Sequence, residues 1–105
     1  MTGIDAIAAE RKLQIEVEDW TPEHDDEHTD GSLSVVAAIY ATHPIKLFVH
    51  WNDGGSIHFE DPWPEGWDSE WDRRDDFDER RRLVIAGALI VAEIDRLDRL
   101  SEKPE

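Results

Sequence analysis

The chain contains no cysteine. That excludes a disulfide framework, a thiolate zinc site and a thiol nucleophile. Long apolar runs are missing too. The most apolar stretch, Leu83 to Ile94, is interrupted by Gly87 and Glu93 and is too short to cross a bilayer. Met1 to Glu10 lacks the basic start and long apolar run of a signal peptide, so a cytoplasmic protein is expected. Positive charge is scarce: 11 Lys plus Arg stand against 26 Asp plus Glu, a formal net charge of −15. Such a surface repels nucleic acid and anionic membranes over a Debye length of about 8 Å, which argues against direct contact with either. Glycine is sparse and forms no phosphate-binding loop, and no serine sits in a nucleophile elbow. The expectation is a protein without turnover and without a cofactor.

What is present is acid, tryptophan and arginine. The acid excess has two readings, solubility or a basic partner such as a protein surface that normally holds nucleic acid. Eight of the 11 cations are arginine, which favours fixed, forked hydrogen bonding.

One hundred and five residues make one domain with one modest core. Ile4, Ile7, Ala8 and Ile15, widened by Leu13 and Val17, predict a helix over 3–18 that ends before Thr21-Pro22. An acidic turn follows over 20–30. Thr29 or Asp30 is placed to cap a second helix over 31–42, with Leu33, Val36, Ala37 and Tyr40 on one face. The period then shortens to two. Ile45, Leu47, Val49 and Trp51 alternate with polar or opposite-facing residues, Asn52-Asp53-Gly54-Gly55 is turn chemistry, and Ile57 and Phe59 return. This predicts a β-hairpin over 45–60 that packs on the helices, with Trp51 and Phe59 in the core. A Trp-rich loop spans 61–76. The last helix is predicted over 77–100, central in the fold, with Leu83, Ala86, Ile90, Ile94 and Leu97 as its core stripe, broadened by Val84, Leu89 and Val91, and with Ala86, Gly87 and Ala88 small enough for another backbone to approach closely. The fold class expected is therefore α+β: three helices, the last one long, with one inserted hairpin.

Three groups of residues are candidates for chemistry. Trp20 to Gly31 packs two histidines and five acids into twelve residues, and nothing apolar between Glu23 and Asp30 assigns it to a core. His24-Asp25-Asp26-Glu27-His28 matches H-x-x-E-H, the inverted zinc-protease pattern, but follows a Thr-Pro turn and lacks an apolar helical stripe. It stands as a solvated cap, as a ligand contact, or as a metal site of His24, Asp25 and His28. Arg80-Arg81-Arg82 opens the last helix, where cations are disfavoured by the dipole. Either neighbouring acids pair with them, or they form an anion site with the helix amides. Trp63, Trp67 and Trp71 recur every four residues in the loop, as core or as faces on which a base stacks.

The patterns Glu10-Arg11-x-x-Gln14, Glu18-x-Trp20-Thr21-x-Glu23-His24-Asp25-Asp26-x-His28, Gly31-x-Leu33, Ala37-Ala38-x-Tyr40-Ala41 and Arg81-Arg82-Leu83-Val84-x-Ala86-Gly87-Ala88-Leu89-Ile90-x-Ala92-Glu93-Ile94-x-Arg96-Leu97-Asp98-Arg99 resemble a family of small phage and prophage proteins. The likeness covers both ends of the chain, about half of it, and not the hairpin or the Trp-rich middle. It implies a mobile-element protein that blunts host defence by binding. Two partners follow. In the favoured reading, Arg11, Trp20, His24, Asp25, His28, Tyr40, Trp63, Arg81 and Arg82 line a pocket that sequesters a nucleotide-type immune signal. In the alternative, Asp68, Glu70, Asp72, Asp75, Asp76, Asp78 and Glu79 imitate a phosphate track and cover the basic groove of a host defence protein, as an anti-CRISPR-like nucleic-acid mimic. A metal-dependent hydrolase at His24, Asp25 and His28 is the third reading. Self-association through the hairpin edge also stays open.

Overall fold

The structure, a computed structural model, describes residues 1–43, 49–51, 57–59 and 63–102. Its helices are α1 (Gly3–Glu16), α2 (Pro22–Asp25), α3 (Ser32–Thr42) and α4 (Glu79–Glu102), with 3-10 turns at Ser69–Trp71 and Arg74–Asp76. Local chemistry sets the helix starts. The Thr2 hydroxyl accepts from the Asp5 amide at 3.1 Å. Thr21 does the same for His24, with Pro22 in the first turn, where its missing N–H costs nothing. Gly31, at φ +83°, turns the chain into α3, and Asp30 Oδ1 accepts from the Ser32 amide at 3.0 Å. Asp78 Oδ1 caps α4 by accepting from the Arg81 amide at 2.8 Å.

The core is helical. Leu33, Val36, Ala37 and Tyr40 of α3 meet Ile85, Ala86 and Leu89 of α4, and Trp67 closes the cluster from the loop. Trp20, Trp63, Trp71 and Phe77 pack around it. Arg99, in the last turn of α4, donates to the Pro22 carbonyl and to Asp26, which seats α2 at that end. Tyr40, near the end of α3, reaches the segment that leads into the start of α4. So α3 runs antiparallel to α4. Contacts from α1 run from Ile7 at Gly87 to Glu10 at Arg81, antiparallel again. At Gly87 a Cβ would stand 2.6 Å from Ile7 Cδ1, so the glycine lets α1 close in.

The α+β expectation is corrected: the fold is helical. Val49–Trp51 and Ile57–Phe59 pair antiparallel, with Val49 opposite Phe59 and Trp51 opposite Ile57, but three residue pairs do not make a layer. Among the described residues the buried cluster is built from α3, α4 and Trp67, and Val49–Trp51 pairs only with Ile57–Phe59. The turn expected at 52–55 and the side chains of Trp51 and Phe59 lie outside the described residues.

Two faces also differ from expectation. The predicted apolar stripe of α1 is largely wet, with Ile4 and Val17 exposed, while Ala6, Glu10, Arg11 and Gln14 are buried. On α4 the buried face is Val84, Ile85, Ala88, Leu89 and Ala92 with Glu93 and Arg96, whereas Leu83, Ile90, Ile94 and Leu97 are exposed. Of the predicted face, Ala86 and the broadening residues Val84 and Leu89 are buried. Small residues at 86, 88 and 92 let neighbouring helices approach closely, and that close approach decides which face turns inward. Among the described residues no helix is long and apolar enough to cross a membrane.

Candidate functional site

The acidic turn is solvated and capping only in part: Glu23, Glu27 and Asp30 are exposed and Asp30 accepts from the Ser32 amide, but Asp25 goes inside. Asp25, on α2, is fully buried. Its Oδ2 accepts from Arg11 Nη2 at 2.5 Å. The same guanidinium donates through Nη1 to Gln14 Oε1 at 3.3 Å and to the Trp20 carbonyl at 3.2 Å. Burial pushes the Asp25 carboxyl above its ordinary range, and the Arg11 charge and hydrogen bond pull it back. Asp25 Oδ1 has no hydrogen-bond partner among the described residues and lies 3.9 Å from His24 Nδ1.

Around this pair the rings of two segments close on each other. Trp20 meets His24 at 4.9 Å, Trp67 at 5.0 Å and Trp71 at 5.4 Å between centroids. His28 meets His24 at 4.8 Å and Trp67 at 4.7 Å. Trp63 stands edge-on to Trp67 at 5.9 Å and donates from Nε1 to the Trp67 carbonyl. These are contact distances for aromatic pairs, so the rings pack on one another and leave no slot between them for a planar base. Burial holds the His28 imidazole below its ordinary pKa, and the neighbouring His24 adds to that.

Arg11, Trp20, His24, Asp25 and His28 are thus assembled, with Trp63 at the edge. Tyr40 joins through backbone: its hydroxyl donates to the Trp71 carbonyl at 3.2 Å and accepts from the Arg73 amide at 2.9 Å. Arg81 and Arg82 are not brought to the cluster. Arg81 pairs with Glu10 at 2.9 Å and lies over the Phe77 ring, and Arg82 donates to the Phe77 carbonyl. The α4 arginine that pairs with the acidic turn is Arg99, 17 residues from Arg82 and about 25 Å along the helix. The concavity expected between the histidines and the arginines at the head of α4 is therefore not formed. Nor are His24, Asp25 and His28 arranged as metal ligands: Asp25 is committed to Arg11, both imidazoles lie against rings, and among the described residues no three such side chains group around a common point.

Trp67, Trp71, Glu10 and Arg99 belong to this architecture and were not singled out with it from the sequence; Asp26 was, within the acidic turn. The spacing of four between the loop tryptophans was the available signal. Nothing local marks Glu10 or Arg99, whose partners lie far along the chain.

The acidic segment 68–79 is built differently. Trp67, Trp71 and Phe77 pin it to the core, and Tyr40 holds its backbone at residues 71 and 73. Between those anchors Asp68, Glu70, Asp75, Asp76, Asp78 and Glu79 are exposed and Asp72 is half-buried. Asp72 takes a forked contact from Arg74 at 2.9 and 2.7 Å, which holds its carboxyl below the usual range. Asp76 accepts from Arg73 at 3.0 Å, and Asp75 lies 2.9 Å from His43 Nε2. Seven acids against Arg73 and Arg74 leave −5 over twelve residues.

Compared with family models, with curated proteins and with solved structures, the chain matches none.

Proposed function

We propose that this is a non-enzymatic binding protein whose 68–79 face covers a basic, nucleic-acid-holding surface on another protein. The observation that carries this reading is the anchoring of that segment. Three aromatic side chains and two hydrogen bonds to Tyr40 fix its backbone, while six of its seven carboxylates face water. A fixed array of anions binds a cationic groove without the ordering cost a flexible acidic tail would carry. The nucleotide-sequestering reading needs Arg81 and Arg82 beside the rings, and both are engaged elsewhere. The resemblance to phage and prophage proteins points to a host defence protein as the partner, approached in the cytoplasm.

The test is capture from a host lysate at low salt, followed by competition. A captured protein should be displaced by duplex DNA and by raised salt. It should be lost from a variant carrying Glu70→Lys, Asp75→Lys and Glu79→Lys, each reversal weakening binding roughly tenfold. Capture that survives both the competitor and the triple variant overturns the proposal. A thermal shift with a cyclic or ADP-ribose-type nucleotide would restore the sequestering reading in its place.

A further inference from the structure

Among the described residues, neither the helical packing nor the acidic face covers the apolar line on α4. Leu83, Ile90, Ile94 and Leu97 are 43–51% exposed, and Leu100 beyond them is 58% exposed. Ile4 of α1, one turn before the Ile7 that covers Gly87, is 83% exposed on the same side. These large aliphatic side chains form a continuous exposed line over four turns, the arrangement that marks an interaction surface more often than singly scattered residues do.

The geometry points to a second copy of this chain as the occupant, packed α4 against α4 in antiparallel order about a twofold axis at Ile90. Two features select this partner. The first is symmetry of spacing. Leu83 and Leu97 each lie seven residues, close to two helical turns, from Ile90. An antiparallel copy therefore sets Leu83 against Leu97 of the second copy and Ile90 against itself, as a self-complementary interface requires. The second is charge. Arg80 and Asp98 are both exposed, 18 residues or five turns apart, and so lie on one side of the same line. Their midpoint falls one residue from Ile90, so the twofold brings each Arg80 to Asp98 of the other copy. A parallel pair would set Arg80 at the same level as Arg80. It would also bring the two 68–79 segments side by side. The antiparallel pair holds the two α4 starts about 30 Å apart, several Debye lengths at physiological salt. Both acidic faces stay open in that pair. The inference does not depend on what those faces bind.

The absence of cysteine makes the register directly readable. Ile90→Cys alone should cross-link under mild oxidation, because on the axis its Cα atoms fall within disulfide reach. Leu83→Cys alone should not cross-link, but should do so when mixed with Leu97→Cys. Sedimentation equilibrium at about 100 µM should give a dimer of the 12.1 kDa chain, tighter at high salt as the −15 charge is screened. Leu97→Lys should weaken it at least tenfold with helicity unchanged, since that side chain is already half exposed. Arg80→Asp should weaken it, and adding Asp98→Arg should restore it. A monomer at every concentration and salt, or a dimer indifferent to Leu97→Lys, overturns the proposal. Self-cross-linking by Leu83→Cys as strong as by Ile90→Cys overturns the antiparallel order, and so does failure of the charge swap to restore association.

Discussion

At the scale of single residues, the pair that matters most is Arg11 and Asp25. Both are buried, they meet at 2.5 Å, and Arg11 also holds the Trp20 carbonyl where α1 gives way to α2. A buried ion pair is weak evidence for stability as such, because desolvation offsets most of the attraction. Losing one partner is another matter, since the remaining charge stays buried and unmatched. Asp25→Asn should therefore lower the unfolding free energy by about 3–5 kcal/mol. The double change Arg11→Met with Asp25→Leu should recover most of that loss, because no charge is then left behind. Urea unfolding of the two variants measures both quantities. If the double variant is as unstable as the single one, the pair contributes more than charge balance, and the hydrogen bonds to Gln14 and Trp20 carry the difference.

Among the elements, the anchored 67–77 segment depends on one hydroxyl. Tyr40 is the only side chain of α3 that reaches both the Trp71 carbonyl and the Arg73 amide among the described contacts. Burial pushes its phenol above the ordinary pKa, so it stays protonated and able to donate. Tyr40→Phe keeps the ring in the core and removes both bonds. The expected loss is about 1–3 kcal/mol, with amide exchange around residues 71–73 accelerated far more than in α3 or α4. Uniform acceleration across the helices would show that the hydroxyl supports the fold at large and not this segment. Such elements were partly legible in the sequence. The helices were readable because Thr21-Pro22 and the Thr29–Asp30 cap are local punctuation, and the α3 face because Leu33, Val36, Ala37 and Tyr40 recur at helical spacing. The inward face of α4 was readable only in part, through Val84, Leu89 and the small residues at 86–88. The Leu83–Leu97 line is the more hydrophobic one, yet the face with Ala86, Ala88 and Ala92 permits close approach, and packing distance outweighed side-chain size. The polar burial on α1 was hidden for a related reason. Glu10 and Arg11 are charged in isolation and go inside only because Arg81 and Asp25, 71 and 14 residues away, are there to meet them. The ring cluster was half visible: the acidic turn stood out by composition, but nothing in it said that Trp67 and Trp71 would cover the histidines.

The whole molecule folds against a charge of −15, and that sets how its stability responds to acid. Half-buried His28 and buried Glu10 and Asp25 respond in opposite directions. His28 has its pKa lowered by burial and by His24, so the unfolded chain binds the proton first. Its contribution is intact above the ordinary value of 6.5 and is lost as pH falls through 6.5 toward the folded value. Glu10 and Asp25 are raised by burial, each countered in part by its arginine. There the folded state binds the proton first, so stability rises as pH falls through the folded pKa toward the unfolded one. Protonating the exposed carboxylates in that lower range also relieves self-repulsion. The melting temperature should therefore dip as pH drops below neutrality and recover on approach to the carboxylate range. His28→Phe keeps a ring against Trp67 and His24 while removing the titration, so the dip should vanish in that variant and the recovery remain. A dip of equal depth in His28→Phe would assign it to another group. A melting temperature that falls steadily from pH 7 to 4 would mean that the ion pairs of Arg11 and Arg81 outweigh both carboxyl burial and the relief of repulsion.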